Sequence, residues 1–345
     1  MSRPSPDLAR ALTFEPRLEE RVWGGRALER YGKILLPGLR VGESWEISDV
    51  EGMASRVSRG PCRGSPLREI VRSFPEAILG PARKGPDSFP LLFKLIDARE
   101  DLSVQVHPSD EDLRRAGLTA HGKTEAWVIL EAEPGAGIIH GLAAGVEREA
   151  FFSLMEGLRG EPLGREREEA LFRWVSVNRG DVIFVPAGTI HAIGKGILLL
   201  EVQQTSDITY RIYDWGRRGD GGKPRSLHIR EARAVGEPAR VPCPIARIED
   251  SPGERGIAPL MACEKFRVEL LSLGAGREGE ASSTAEGPAP GFHVLAGYRG
   301  EVRYEAPGDE PLEIRAGSFV LLPAALGPYA LRTEGGDAAL LRFRA

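Results

Sequence analysis

Two stretches of this chain echo one another. Gly180-Asp-Val-Ile-Phe-Val-Pro186-Ala-Gly-Thr-Ile-His191 aligns without a gap on Gly317-Ser-Phe-Val-Leu-Leu-Pro323-Ala-Ala-Leu-Gly-Pro328. The shared pattern is a glycine, five residues of strand character and a Pro-Ala turn, which is the signature of a short strand closed tightly. A unit used twice in this way constrains the chain to a duplicated β-barrel. At the last aligned position His191 is replaced by Pro328, and a proline side chain cannot bind a metal. One copy is expected to be live and the other dead.

The rest of the sequence fits a mainly β protein. The chain has 345 residues, enough for a large core and for two domains. It carries 42 Gly and 26 Pro, yet 41% of its residues are hydrophobic, so it reads as turn-rich and folded. In Leu102 to His107 the alternation is clean: Leu102, Val104 and Val106 face one way, Ser103, Gln105 and His107 the other. Phe89 to Ala98, Glu125 to Glu131, Trp174 to Val177, Asp181 to Val185, Gly196 to Gln204 and Ile208 to Tyr213 read as further strands. Residues 1–60 read as short strands and loops packed on the main body, and a helix is expected around Pro66 to Leu79. Residues 146–173 have helical spacing and many charges, and read as a helical insertion. The Pro- and charge-containing stretch around 235–260 reads as a boundary. We therefore expect a metal-binding catalytic domain over 1–240 and a C-terminal β domain without metal ligands over 241–345.

Composition excludes several classes. The net charge of −4 gives no reason to expect nucleic acid or an anionic membrane as partner. No apolar run approaches the ~20 residues of a membrane span, and Met1 to Arg17 lacks the apolar core of a signal peptide. The three cysteines, Cys62, Cys243 and Cys263, suit a reducing compartment. These features predict a soluble, cytoplasmic protein. No glycine-rich phosphate loop precedes a helix, so nucleotide chemistry has no support.

The chemistry concentrates in Gln105-Val-His107-Pro, Gly122-Lys-Thr-Glu125 and Pro186-Ala-Gly-Thr-Ile-His191. Gln105 and His107 stand two apart on a strand, so their side chains leave one face, as two ligands of one ion must. Glu125 opens a later strand, and His191 follows a strand and a turn. Two imidazoles, a carboxylate and an amide oxygen suit Zn²⁺ or another borderline divalent ion, with a position left open for water or substrate. His121 is adjacent in sequence and is a candidate to line the site, whereas His140, His228 and His293 read as structural. Lys94 interrupts an apolar strand, where burial would lower its pKa toward a working base; a pairing with Asp97 or Glu201 is the alternative. Lys123, two residues before Glu125, should reach the cavity mouth. Arg211 shares an expected strand face with Thr209 and Tyr213 and could grip a phosphate bidentately, or else pair with Asp214 or Asp207. Trp23, Trp45 and Trp127 read as barrel packing.

The segment Gly180 to His191 resembles the second motif of the cupin superfamily. The longer string of Leu102-Ser-Val-Gln-Val-His-Pro, Gly122-Lys-Thr-Glu, Pro186-Ala-Gly-Thr-Ile-His-Ala-Ile-Gly, Leu200-Glu-Val-Gln-Gln and Thr209-Tyr-Arg-Ile-Tyr-Asp-Trp resembles the type I phosphomannose isomerases of the short bacterial kind. The resemblance runs from about Phe14 to about residue 230. It implies a cupin-type jelly-roll barrel with a helical insertion and a second, degenerate cupin-like β domain. It also implies a zinc-dependent isomerase interconverting mannose 6-phosphate and fructose 6-phosphate through a cis-enediol, with one Zn²⁺ per chain held by Gln105, His107, Glu125 and His191. Lys94, Lys123 and Arg211 match catalytic positions, and Ser103, Lys123 and Arg211 match substrate-binding ones. Another metal-dependent cupin enzyme, such as a dioxygenase, or a non-catalytic sugar-binding cupin are the competing readings.

Overall fold

The computed structural model describes residues 8–60, 62–81, 88–218, 222–238, 241–249, 256–274, 291–333 and 336–345. The first seven residues of the N-terminal stretch and the Asp250-Ser251-Pro252-Gly253 part of the expected boundary lie outside them. Among the described residues, no helix is long and apolar enough to cross a membrane.

The first part of the chain forms β1 (Arg17–Gly25), β2 (Val41–Ile47), β3 (Leu91–Ala98), β4 (Val104–Val106), β5 (Glu125–Ala132), β6 (Gly137–Leu142), β7 (Phe172–Ser176), β8 (Asp181–Val185), β9 (His191–Ile193), β10 (Ile197–Gln204), β11 (Tyr210–Tyr213) and β12 (Ala246–Arg247). They pair antiparallel into two sheets, ordered β1-β2-β3-β10-β5-β8-β12 and β11-β4-β9-β6-β7. The last part forms β13 (Gly256–Ala262), β14 (Arg267–Leu273), β15 (His293–Arg299), β16 (Glu301–Glu305), β17 (Leu312–Arg315), β18 (Phe319–Leu322), β19 (Ala330–Arg332) and β20 (Ala338–Arg344). These make sheets ordered β13-β14-β20-β15-β18 and β17-β16-β19. The result is mainly β, as the alternating patterns required. The short strands expected in residues 1–60 are part of the main sheet: β1 is its edge strand and β2 lies between β1 and β3.

Four apolar clusters show how the layers stack. Ile96, Trp127, Ile129 and Ile183 of the seven-stranded sheet meet Ile138 and Ile193 of its five-stranded neighbour. The opposite face of the seven-stranded sheet, with Phe93, Leu95, Val128 and Leu200, packs on Val268, Val294 and Phe343 of the C-terminal part. Phe93 and Phe343 stand edge to face at 5.0 Å. Both faces of β3 and β10 are therefore covered, and every residue in them is buried, which is why they read as unbroken apolar runs. Each large side chain removed from water here stabilises the fold by roughly 1.5–3 kcal/mol.

The helical insertion forms as the sequence predicts, as two helices spanning Arg148–Leu158 and Arg165–Leu171. Phe151, Phe152 and Met155 cover the outer face of the five-stranded sheet at Val104, Ile139 and Ala192. The expected helix over 66–79 is instead two helices, Leu67–Ser73 and Pro75–Leu79. Pro75 drives Phe74 out of the helical region, to φ −141°. Near the expected boundary, β12 pairs with β8 through Ala246 and Val182, so the first sheet continues past residue 240. At the other end, Leu12 exchanges backbone hydrogen bonds with Leu321, placing the N-terminal segment on the edge of the C-terminal sheet.

Candidate active site

Strand register brings the chemistry of the two catalytic-half sheets to one cavity of about 340 Å³. Directly opposed residues of antiparallel strands share a face. On the seven-stranded sheet, Trp45, Lys94, Glu201 and Trp127 lie in one row across β2, β3, β10 and β5. Gln203 and Glu125 pair one step along. On the facing sheet, Arg211, Gln105, His191 and His140 lie in a row across β11, β4, β9 and β6.

His107, Glu125 and His191 converge at the bottom. One donor atom from each lies within 4.8 Å of the others, and all three residues are buried. His191 Nε2 is 3.3 Å from Glu125 Oε1, and His107 Nε2 is 3.6 Å from Oε2. Each imidazole is oriented through its other nitrogen. His107 Nδ1 lies 2.8 Å from the Ile208 carbonyl and His191 Nδ1 lies 2.8 Å from that of Thr189. A carbonyl only accepts, so both Nδ1 atoms carry the proton and both Nε2 lone pairs turn toward Glu125, the arrangement metal-binding imidazoles use. Burial, with Lys123 nearby, holds His107 well below its ordinary pKa, and burial brings His191 down to about 3. Both rings are thus neutral ligands at pH 7. Both oxygens of Glu125 are buried; Oε1 has no hydrogen bond, and Oε2 meets the Lys123 ammonium. These residues fit a divalent cation. Gln105 adjoins them, its amide nitrogen 3.4 Å from His191 Nε2.

Above the histidines runs a chain of alternating charge. Lys123 Nζ lies 2.9 Å from Glu125 Oε2 and 3.1 Å from His107 Nε2. Its burial opposes the charged form, but Glu125, Glu201 and Asp207 outweigh that and raise its pKa. Glu201 is pushed up by burial, against the pull of Lys123 and Lys94. Trp127 Nε1 donates to its Oε1 at 3.1 Å, and its Oε2 has no hydrogen bond. Lys94 Nζ sits 3.5 Å from Glu43 Oε2, 3.7 Å from Glu201 Oε2 and 4.5 Å above the Trp45 ring. Burial opposes the charge of Glu43, yet Lys94, Arg21 and the Trp45 indole bring its pKa down to about 2. Lys94 therefore pairs with Glu201, one of the two expected acids. The other, Asp97, instead accepts from the Ala27 amide.

Ser103, Gln105, Lys94, Lys123, Glu125 and Arg211 all line the cavity. Arg211 Nε donates to Ser103 Oγ at 3.3 Å and has no ion-pair partner among the described residues. Asp214 is held by Arg217 and Arg225 instead. Thr209 and Arg211 share the cavity face, but Tyr213 does not: the register slips between Arg211 and Tyr213, turning Tyr213 into the helix-covered core. His121 is exposed and lies away from the cavity lining. Trp23 and Trp127, expected only to pack, also line it. Sequence reasoning missed Arg21, Glu43 and Arg225, and treated Glu201 only as a partner for Lys94. The signal for Glu201 is a glutamate inside an apolar strand, opposite a lysine that also interrupts one; Glu43, in the polar strand β2, carries no such signal.

The family model for the phosphomannose isomerase type I catalytic domain matches residues 12–125. The mannose-6-phosphate isomerase ManA of Bacillus subtilis (strain 168) is 36% identical over 320 residues, covering 93% of this chain and 95% of that protein. A mannose-6-phosphate isomerase of Streptococcus mutans is 37% identical over 236 residues, covering 67% of this chain and 70% of the other. The crystal structure of the Bacillus subtilis mannose 6-phosphate isomerase superposes with a TM-score of 0.81 at 29% identity, covering 97% of this chain and 99% of that one.

Proposed function

From the premise that this chain belongs to the type I mannose-6-phosphate isomerases, we propose that the cavity between its first two sheets interconverts mannose 6-phosphate and fructose 6-phosphate through a cis-enediol. The observation that carries this is the convergence of His107, Glu125 and His191 directly beneath a buried, cation-flanked Glu201.

Gln105, His107, Glu125 and His191 would hold one Zn²⁺ per chain. Two neutral imidazoles with fixed tautomers and a carboxylate with one oxygen, Oε1, free of hydrogen bonds suit a zinc site that keeps a coordination position open. Bound there, the ion supplies Lewis-acid polarisation of the substrate's carbonyl and hydroxyl oxygens.

The chain's own residues then move the proton. Isomerisation takes a proton from C2 and returns it to C1, on one face of the enediol. Glu201 suits that work: burial raises its carboxyl toward neutrality, and Trp127 fixes one oxygen while the other carries no hydrogen bond. Lys123, held protonated by its carboxylate neighbours, stabilises the enediolate oxygen as a cation and does not act as a base. Lys94 keeps Glu201 and Glu43 oriented and neutralises their charge during transfer. Ser103 and Arg211 face the substrate at the mouth, where Arg211 meets its phosphate. In this reading the C-terminal unit carries no metal, and the catalytic unit extends through β12. The three free cysteines suit a reducing compartment and support a cytoplasmic enzyme.

A coupled assay of mannose 6-phosphate isomerisation, with and without chelator, tests the reading. Chelation should abolish turnover and added Zn²⁺ restore it. Glu201→Gln should lower kcat roughly 100- to 10,000-fold. Bound iron with oxygen-dependent turnover, or full activity in Glu201→Gln, would overturn it.

A further inference from the structure

Beyond β11 the chain turns around one buried carboxylate. Asp214 is 5% exposed. Arg217 Nη2 reaches its Oδ1 at 2.5 Å, and Arg225 Nε reaches its Oδ2 at 2.7 Å. Arg225 Nη2 also donates to Oδ1, so the Arg225–Asp214 pair is bidentate. Between the arginines, Arg218 pairs with Pro224 across the turn. Trp215 adopts φ +59°, a left-handed conformation that costs a residue with a β-carbon free energy and persists only where its surroundings enforce it. Its indole Nε1 enforces it here by donating to the Leu102 carbonyl at 2.8 Å. Arg217 Nη1 donates to the Asp101 carbonyl. The turn is thus tied to the segment that carries Ser103.

The same turn delivers a guanidinium to the cavity. Arg225 and Arg211 both line it, and Arg211 Nη1 donates to the Ser226 carbonyl at 2.9 Å, next to Arg225. Arg225 Nη1 and Arg211 Nη2 have no hydrogen-bond partner among the described residues. Arg217 and Arg225 share the single carboxylate of Asp214, and Arg211 has no ion-pair partner among the described residues. Burial and the repulsion of Arg225 hold Arg211 below its usual pKa, as expected where the counter-charge is supplied by a ligand.

We propose that Arg225 is a specificity-determining residue that takes the sugar's phosphate together with Arg211, and that Asp214 is a positioning residue that aims Arg225 through the turn locked by Trp215. This rests on the sugar-phosphate reading of the cavity. Arg225 selects a phosphorylated sugar over a neutral one, and Asp214 acts only through it.

Steady-state kinetics of the holoenzyme test this, with inorganic phosphate as competitive inhibitor. Arg225→Met should raise KM for mannose 6-phosphate and Ki for phosphate together, by roughly 10- to 100-fold, with kcat within about twofold. Arg225→Lys, which keeps the charge and loses the planar fork, should recover part of both. Asp214→Asn should raise both constants less, and should add nothing in the double variant with Arg225→Met. Wild-type KM and Ki in Arg225→Met, while the native enzyme turns over mannose 6-phosphate normally, would overturn the phosphate role. Additive losses in the double variant would overturn the positioning role of Asp214. Failure of the native enzyme to act on mannose 6-phosphate would instead remove the reading beneath.

Discussion

In the first β unit the space between the sheets is lined by Lys94, Glu125, His191 and Glu201; in the second the corresponding space is filled by Leu271, Leu295, Tyr304, Leu331 and Leu340. The frames agree closely. Gly180 and Gly317 hold the same left-handed φ, +86° and +85°, each with a backbone oxygen within 2.5 Å of where a Cβ would stand. Beyond the shared Pro-Ala turn the copies part: His191 opens β9, whereas Pro328 and a buried Tyr329 precede β19. Tyr329 hydroxyl meets His293 Nδ1 at 3.2 Å, and Arg342 Nε donates to Glu269 Oε2 at 2.8 Å on strands β20 and β14. Among the described residues the second unit brings no three of His, Cys, Asp and Glu together as a metal site. The second frame thus holds one buried ion pair among the described residues, Arg342 with Glu269, where the first gathers several around one cavity. Each buried charge in the first unit has to be matched by a partner at a cost in desolvation, and retaining so many points to function.

The largest expected effect breaks the comparison at its distinguishing position. His191→Ala should reduce isomerase activity by more than the roughly 10–100-fold that loss of an outer partner costs, and metal content measured on the purified protein should fall with it. Pro328→His should bind no second ion and leave turnover unchanged; a second equivalent of metal would mean that the units differ by one residue only. Next, Leu331→Ala in the second interior should cost about 2–5 kcal/mol in a denaturant melt while kcat at temperatures below the transition stays native. A fall in kcat would show that the second unit shapes the cavity directly. The smallest effect concerns acid. Glu43 is held near 2 against an ordinary 4.5, so the stability it contributes is complete above pH 4.5 and is lost as pH falls toward 2. The drop in melting temperature over that window should be shallower in Glu43→Gln than in the native protein, and an identical slope would place the acid sensitivity elsewhere.

Local features were readable from the chain and long-range pairings were not. The alternation in Val104 to His107 and the strand before Pro186 show which way Gln105, His107 and His191 point, because a period of two fixes a face. Leu102, expected on the face of Val104 and Val106, lies ahead of β4 and lines the cavity with Ser103 instead. The helical insertion was equally plain from spacing and charge. Glu43 was not, since only the pairing of β2 with β3 sets Trp45 beside Lys94 and brings Glu43 within reach of it. β6 was missed because Gly-Ile-Ile-His-Gly-Leu shows no alternation. Tyr213 was placed on the wrong face because a bulge carries no local signal. Arg225 lies in a turn, where side-chain direction follows from ties to distant residues such as Leu102 and Asp101.

The pairing of Leu12 with Leu321 also bears on how the molecule is made. Ala11 donates its amide to Asp309 Oδ2 across a sequence separation of 298 residues. At roughly 5–20 residues per second of synthesis, the opening segment waits on the order of tens of seconds for the strand it will join. Until then the seven-stranded sheet lacks the layer that covers Phe93. The nascent chain is therefore unfinished until its last strands emerge, and the metal-free unit is what completes the catalytic one.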